Sequence, residues 1–182
     1  GSSLIGIELD VHLCADDHIP IMHEVTIPAQ DGEIVAVGSL PYRELIRLYR
    51  HHVNDPRVTV PDLNAVFSLV NHRTVLCLEI KEGPYDFERF LSLFMARLEA
   101  YSPDNDVVIS SFSPWILRRV IDAASALSCA FGFVFETWEQ WDAFPKALTA
   151  EIDYINPEYR LVLEKPEMIP HYGRPLQCWV VN

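Results

Sequence analysis

"IELDVH", residues Ile7 to His12, alternates with a period of two. Ile7, Leu9 and Val11 fall on one face of an extended chain, and Glu8, Asp10 and His12 fall on the other. Apolar neighbours continue on both sides, which marks an interior strand rather than a solvated edge. Such a strand must put two carboxylates and an imidazole where something receives them. That condition separates the folds open to this chain.

Strand-like and helix-like runs alternate outward from this point. "LIGIELDVHL" reads as a strand, followed by a turn at Asp16-Asp17 and a second extended piece, "IPIMHEVTI". "SLPYRELIRLYRHH" reads as a helix with Ser39 as its N-cap, and "VPDLNAVFSLV" as another. After the strand "TVLCLEIK", the stretch "GPYDFERFLSLFMARLEAY" carries Phe87, Phe90, Leu91, Phe94, Leu98 and Tyr101 at helical spacing. The strand "DVVISSF" leads into "SPWILRRVIDAASAL", with Ser113 at the N-cap and Pro114 at the first helical position. "CAFGFVFE" is a strand, and Thr137 and Gln140 form a capping box that opens the helix "TWEQWDAFPKAL". "IDYINPEY" and "PLQCWVV" are the last strands, with room for a short helix around Lys165 to His171.

Repeated strand-helix alternation means parallel strands with helical crossovers. An open doubly wound sheet normally carries a Gly-rich phosphate turn, and none of the seven glycines forms one. A closed barrel turns polar side chains at the C-terminal ends of its strands into the mouth, where active sites sit. The carboxylates of "IELDVH" and "CLEIK" lie where that rule puts them, so the expected fold is an α/β, TIM-type (β/α)8 barrel.

Composition narrows the function. The 182 residues, 49% hydrophobic and 22% charged, suit a single domain with a substantial core. A net charge of -12 argues against nucleic acid and anionic lipid as partners, and no apolar run is long enough to span a bilayer. Cys14, Cys77, Cys129 and Cys178 are too far apart for a zinc or redox motif. They read as reduced thiols that fill space, which favours a cytoplasmic location.

In a barrel, Ile7, Leu9 and Val11 meet the helices, while Glu8 and Asp10 face inward. In "CLEIK", Glu79 and Lys81 do the same. Three converging carboxylates are costly to keep ionised, and a divalent cation resolves the conflict. Oxygen ligands suit Mg²⁺, Ca²⁺ or Mn²⁺. Alternatively Glu79 pairs with Lys81, and Glu8 or Asp10 with an arginine. His23 is placed to protonate a leaving alkoxide or simply to hydrogen-bond in a loop. Lys81 is suited to hold a phosphate, and Phe112 and Trp179 at strand ends can wall a small alcohol. His12 reads as structural, and His18, His51, His52 and His72 as solvated.

Five segments in order, "GIELDVHL", "MHEVTI", "LEIK", "ISSFSP" and "CWVVN", resemble the glycerophosphodiester phosphodiesterase family across nearly the whole chain. The resemblance implies a metal-dependent hydrolase that releases an alcohol and glycerol 3-phosphate from small-molecule diesters. It implies metal ligands at Glu8, Asp10 and Glu79, catalytic roles for His23 and Lys81, and substrate contacts from Lys81, Phe112 and Trp179. It further implies one domain over residues 1–182, carrying the barrel's second to seventh strands and a small insertion at about 26–58; the sequence leaves monomer and homo-oligomer both open. Two departures stand out: His23 is followed by Glu24 where the family has Asp, and no His-Arg pair precedes Glu8. The second departure motivates an alternative, a catalytically impaired relative that binds a phosphodiester or a partner chain.

Overall fold

The computed structural model describes residues 5–70, 74–101, 106–167 and 173–179. Five strands, β1 (Ile5–Val11), β4 (Thr74–Ile80), β5 (Val107–Ser111), β6 (Cys129–Phe135) and β7 (Tyr154–Pro157), pair in parallel in that order. Helices fill the crossovers: α3 (Phe87–Tyr101), α4 (Pro114–Ala123), and the pair α5 (Trp138–Asp142) and α6 (Lys146–Thr149). This is the strand-helix succession of a TIM-type barrel. Among the described residues the sheet does not close on itself.

The apolar periodicity of the sequence becomes the layer between sheet and helices. Phe90, Phe94 and Leu98 of α3 are wholly buried, alongside Leu76, Leu78 and Ile80 of β4 and Ile109 of β5. On β6 the outward phase is aromatic, with Phe133 stacked on Phe135 and on Phe144 of the following turn. Ile7 differs from expectation. It is 38% exposed, on the strand at the edge of the sheet.

Helix ends follow local chemistry, with two corrections. Ser39 does not cap α1 (Tyr42–His52) but ends a 3-10 turn, where its hydroxyl donates to the Ala36 carbonyl; Pro41 takes the cap position. The expected helix over 137–148 opens with the Thr137–Gln140 capping box but splits into α5 and α6 at Pro145, which has no N–H to continue it. Ser113 precedes α4 as expected, without a side-chain cap bond.

Asp62 opens α2 (Leu63–Leu69) and also ties it to the first loop. Its carboxylate accepts from Asn64 N–H at 2.9 Å, from the buried Ile19 N–H at 3.1 Å, and from His18 Nδ1 at 3.1 Å. His18 is exposed, as expected, and is in addition held by this bond and stacked on Tyr42 with ring centres 4.4 Å apart. Asp62→Ala strands two backbone donors, so we expect a loss of roughly 1–2 kcal/mol in chemical denaturation. Asp62→Asn should lose less. A wild-type midpoint for Asp62→Ala would show that water replaces the cap at no cost.

"IPIMHEVTI" is not a continuous strand. It touches β1 through a single bridge, Val11 to Ile21, and only its end forms β2 (Thr26–Pro28), a hairpin partner of β3 (Ile34–Ala36). Gly32 turns this hairpin with φ +86°, a conformation other residues adopt only with strain. The hairpin and α1 enclose their own apolar cluster of Met22, Ile27, Val37, Leu45, Leu48 and Val60. "PLQCWVV" makes two parallel bridges to the β7 region, Leu176 to Ile155 and Trp179 to Glu158, instead of a regular strand; Val180 and Val181 lie outside the described residues. α7 (Tyr159–Glu164) was not expected and lies wholly before the short helix expected around Lys165 to His171; residues 168–171 lie outside the described set, as does His72.

Candidate active site

Parallel register fixes which residues face the barrel interior. Glu8 sits opposite Cys77 and Asp10 opposite Glu79 across β1 and β4. Glu79 is opposite Ser110, Ser110 opposite Gly132, and Val134 opposite Asn156. Side chains alternate along each strand, so this row forms one surface, and it is polar where a barrel core is usually filled by branched apolar residues. It lines a cavity of about 540 Å³ at the C-terminal ends of the strands, which also receives His23, Lys81, Phe112, Glu136, Gln177, Cys178 and Trp179.

Glu8, Asp10 and Glu79 each place a carboxylate oxygen within 4.8 Å of the others. Lys81 forms ion pairs with Glu79 and, at 3.0 Å, with Asp10. The two alternatives left open by the sequence are thus combined. The three acids do converge, and lysine, not arginine, partners two of them. Among the described residues no ion pair reaches Glu8. Partial burial, reinforced by the charges of Asp10 and Glu79, pushes its carboxyl up to about 7 although the residue is open to solvent on one side. Burial also raises Glu79, with Lys81 opposing. For Lys81, burial favours the neutral amine, but the hydrogen bonds and charges of Glu79 and Asp10 outweigh it and hold the ammonium above its usual range. An all-oxygen trio left short of positive charge fits a hard divalent cation.

His12 continues the inward phase of β1 but is not part of the cavity lining. It is 1% exposed, and its Nε2–H donates to the Met22 carbonyl at 2.7 Å. Burial lowers its pKa to about 4, so it is a neutral clamp. Together with the Met22 N–H, which donates to the Asp10 carbonyl at 3.1 Å, it pins the residue before His23 to the carboxylate strand. His23 itself is exposed at the cavity mouth and shares a second small depression with Lys81. Glu24, the unexpected neighbour, is exposed beside it.

The far wall is aromatic and amide. Lys81 Nζ lies 5.5 Å from the Phe112 ring centre, and Phe112 meets Trp179 edge to face at 5.4 Å. Asn156 Nδ2 donates to Gln177 Oε1 at 3.0 Å, and Gln177 Nε2 donates to Cys77 Sγ at 3.2 Å, so a polar chain spans the interior from β7 to β4. Gly132 makes this possible, since a Cβ there would stand 2.7 Å from Asn156 Oδ1. Ser111, in the opposite phase from Ser110, donates to the Ile80 carbonyl and is structural.

The lining residues Glu136, Asn156 and Gln177 were not anticipated from the sequence. For Glu136 the signal was present: in "CAFGFVFE" the aromatics at 131, 133 and 135 claim the helix side, leaving Gly132, Val134 and Glu136 for the interior.

Residues 4–182 match the model of the "Glycerophosphoryl diester phosphodiesterase family". A glycerophosphodiester phosphodiesterase of Caldanaerobacter subterraneus subsp. tengcongensis is 26% identical over 97% of this chain and 74% of its own length. Among solved structures, an Oleispira antarctica phosphodiesterase in complex with the product sn-glycerol-3-phosphate superposes with a TM-score of 0.73 at 18% identity, covering 100% of this chain and 74% of that one. A glycerophosphodiester phosphodiesterase from Agrobacterium tumefaciens gives a TM-score of 0.62 at 18% identity, covering 96% and 73%.

Proposed function

The chain belongs to the glycerophosphoryl diester phosphodiesterase family, whose members are phosphoric diester hydrolases, and from that premise we propose that it hydrolyses glycerophosphodiesters to an alcohol and glycerol 3-phosphate with the help of a divalent cation. The observation that carries the reading is the meeting of Glu8, Asp10 and Glu79 beside Lys81 in one cavity with His23 at its mouth. The product named for the Oleispira antarctica relative is of the same class.

Glu8, Asp10 and Glu79 would hold Mg²⁺, Ca²⁺ or Mn²⁺. When bound, such an ion neutralises charge on a phosphate oxygen and lowers the barrier to attack at phosphorus. Lys81, kept charged by its two carboxylates, offers a second positive centre for the phosphate. His23 reaches the mouth from a loop that His12 and Asp10 fix in place, and there it protonates the departing alkoxide. Phe112 and Trp179 wall the alcohol and keep water from that side of the cavity.

Several broader statements belong to the same proposal. Residues 1–182 form one domain with the segment 26–58 as an insertion, a view supported by the separate cluster around Leu45 and Leu48. Its substrates are small water-soluble diesters handled in the cytoplasm, a setting in keeping with four free cysteines. No helix among the described residues is long and apolar enough to cross a membrane.

Calorimetry with Mg²⁺, Ca²⁺ and Mn²⁺ on folded protein tests the core of the reading. Glu79→Gln should weaken binding by at least about 10-fold, the lower end of the loss caused by removing even a supporting residue from a metal site. A folded protein that takes up none of the three ions would remove the cation from the reaction. Cation and diester binding without turnover would favour the impaired-relative alternative.

A further inference from the structure

The cavity is electrically lopsided. At one end Lys81 and the three-carboxylate cluster form the place for a phosphate. At the other, Glu136 brings a fourth carboxylate into the lining, and among the described residues no ion pair reaches it. Its placement is built in. It follows Gly132 and Val134 in the inward phase of β6, and its backbone N–H is fixed by Gln140 Oε1 at 2.6 Å.

Between the two ends stand two aromatic rings. Lys81 lies 5.5 Å from the centre of Phe112, and Phe112 contacts Trp179 at 5.4 Å. Trp179 is anchored beside Glu136, since its indole N–H donates to the Phe135 carbonyl at 3.4 Å and its backbone N–H to the Pro157 carbonyl at 3.3 Å. The series therefore runs Lys81, ring, ring, anion, and a divalent cation on the three carboxylates would make its first end positive.

We propose that the space between Phe112, Trp179 and Glu136 is a subsite for a leaving alcohol that carries an ammonium group, and that Glu136 selects it. This rests on the diesterase reading. A phosphodiester with an ammonium alcohol is itself dipolar, with a negative phosphate and a positive group a few bonds away, and it matches the series end to end. Aromatic faces attract alkylammonium ions, and a carboxylate beside them adds direct attraction. A neutral polyol gains neither term, and an anionic alcohol meets repulsion from Glu136.

Two measurements test the subsite. In the first, kcat/KM is compared for glycerophosphocholine and for the neutral glycerophosphoglycerol, in wild type and Glu136→Gln. The substitution should reduce the preference for the cationic diester roughly ten-fold, the scale of a partly exposed cation–aromatic site with one added charge. An unchanged ratio would overturn the proposal. The second does not need turnover: choline and its uncharged isostere 3,3-dimethylbutan-1-ol are titrated while the Trp179 indole resonance is followed. Choline should bind at least about ten-fold tighter, and Glu136→Gln should narrow that difference to the part the two rings supply. Equal binding of the two alcohols, or no choline binding, sinks the subsite. If the chain hydrolyses no diester at all, the diesterase reading fails, and the second titration still decides the subsite.

Discussion

His23→Ala is expected to lower kcat by roughly 10²- to 10⁴-fold, the usual contribution of a positioned acid or base, with KM nearly unchanged. The imidazole stands at the mouth and is exposed, so its removal leaves the core and the carboxylate cluster intact. Cation binding by calorimetry should therefore match wild type. A diester with a good leaving group such as p-nitrophenolate needs no proton on departure and should recover most of the lost rate. A uniform loss on both kinds of diester would mean that His23 positions substrate instead of delivering a proton. An unchanged rate on natural diesters would remove it from the mechanism.

Phe90→Ala should cost about 3–5 kcal/mol, in the range for a fully buried aromatic replaced by a methyl group. Phe90 is 0% exposed and stacks on Phe94 at 5.2 Å, with Tyr85 at 5.5 Å and Phe87 at 5.9 Å. The site should feel the change as well. Tyr85 donates its hydroxyl to the Lys81 carbonyl at 2.5 Å, so the ring that Phe90 supports also holds the backbone of Lys81, the residue proposed to meet the phosphate. Urea unfolding measures the first effect, and KM of the residual folded enzyme reports the second. Loss of stability with unchanged KM would show that the Lys81 backbone stays in place without this support. A loss below about 1 kcal/mol would mean that neighbouring side chains collapse into the vacated volume.

Much of this was legible in the sequence because it rests on alternation. Glu8, Asp10, Glu79 and Lys81 share the inward phase of two strands, and phase is fixed once the strands are placed. The parallel order followed from helices between strands. What escaped depends on partners distant in sequence. The insertion's hairpin was hidden in a polar stretch, since β2 and β3 are three residues each and find their stability against α1. Ser39 has the chemistry of a cap, but the 3-10 turn before it places Pro41 at the helix start. The last strand read as regular because "PLQCWVV" is apolar, yet only two of its described residues bridge to the sheet. Asn156 and Gln177 could not be paired from sequence, because the segment of Gln177 meets the β7 region through isolated bridges whose register no local pattern reveals.

The contact between Gly132 and Asn156 ties two positions of the chain into one unit of variation. A methyl group at 132 would meet the Asn156 carboxamide, which is held in turn by Gln177, and so would push at the chain that reaches Cys77. An alanine is thus harmful at 132 while asparagine stays at 156, and becomes acceptable once 156 is shortened. The two substitutions are each poor alone and tolerable together, in the sense that their free energies do not add. A change of shape at this part of the interior wall therefore involves the two positions together.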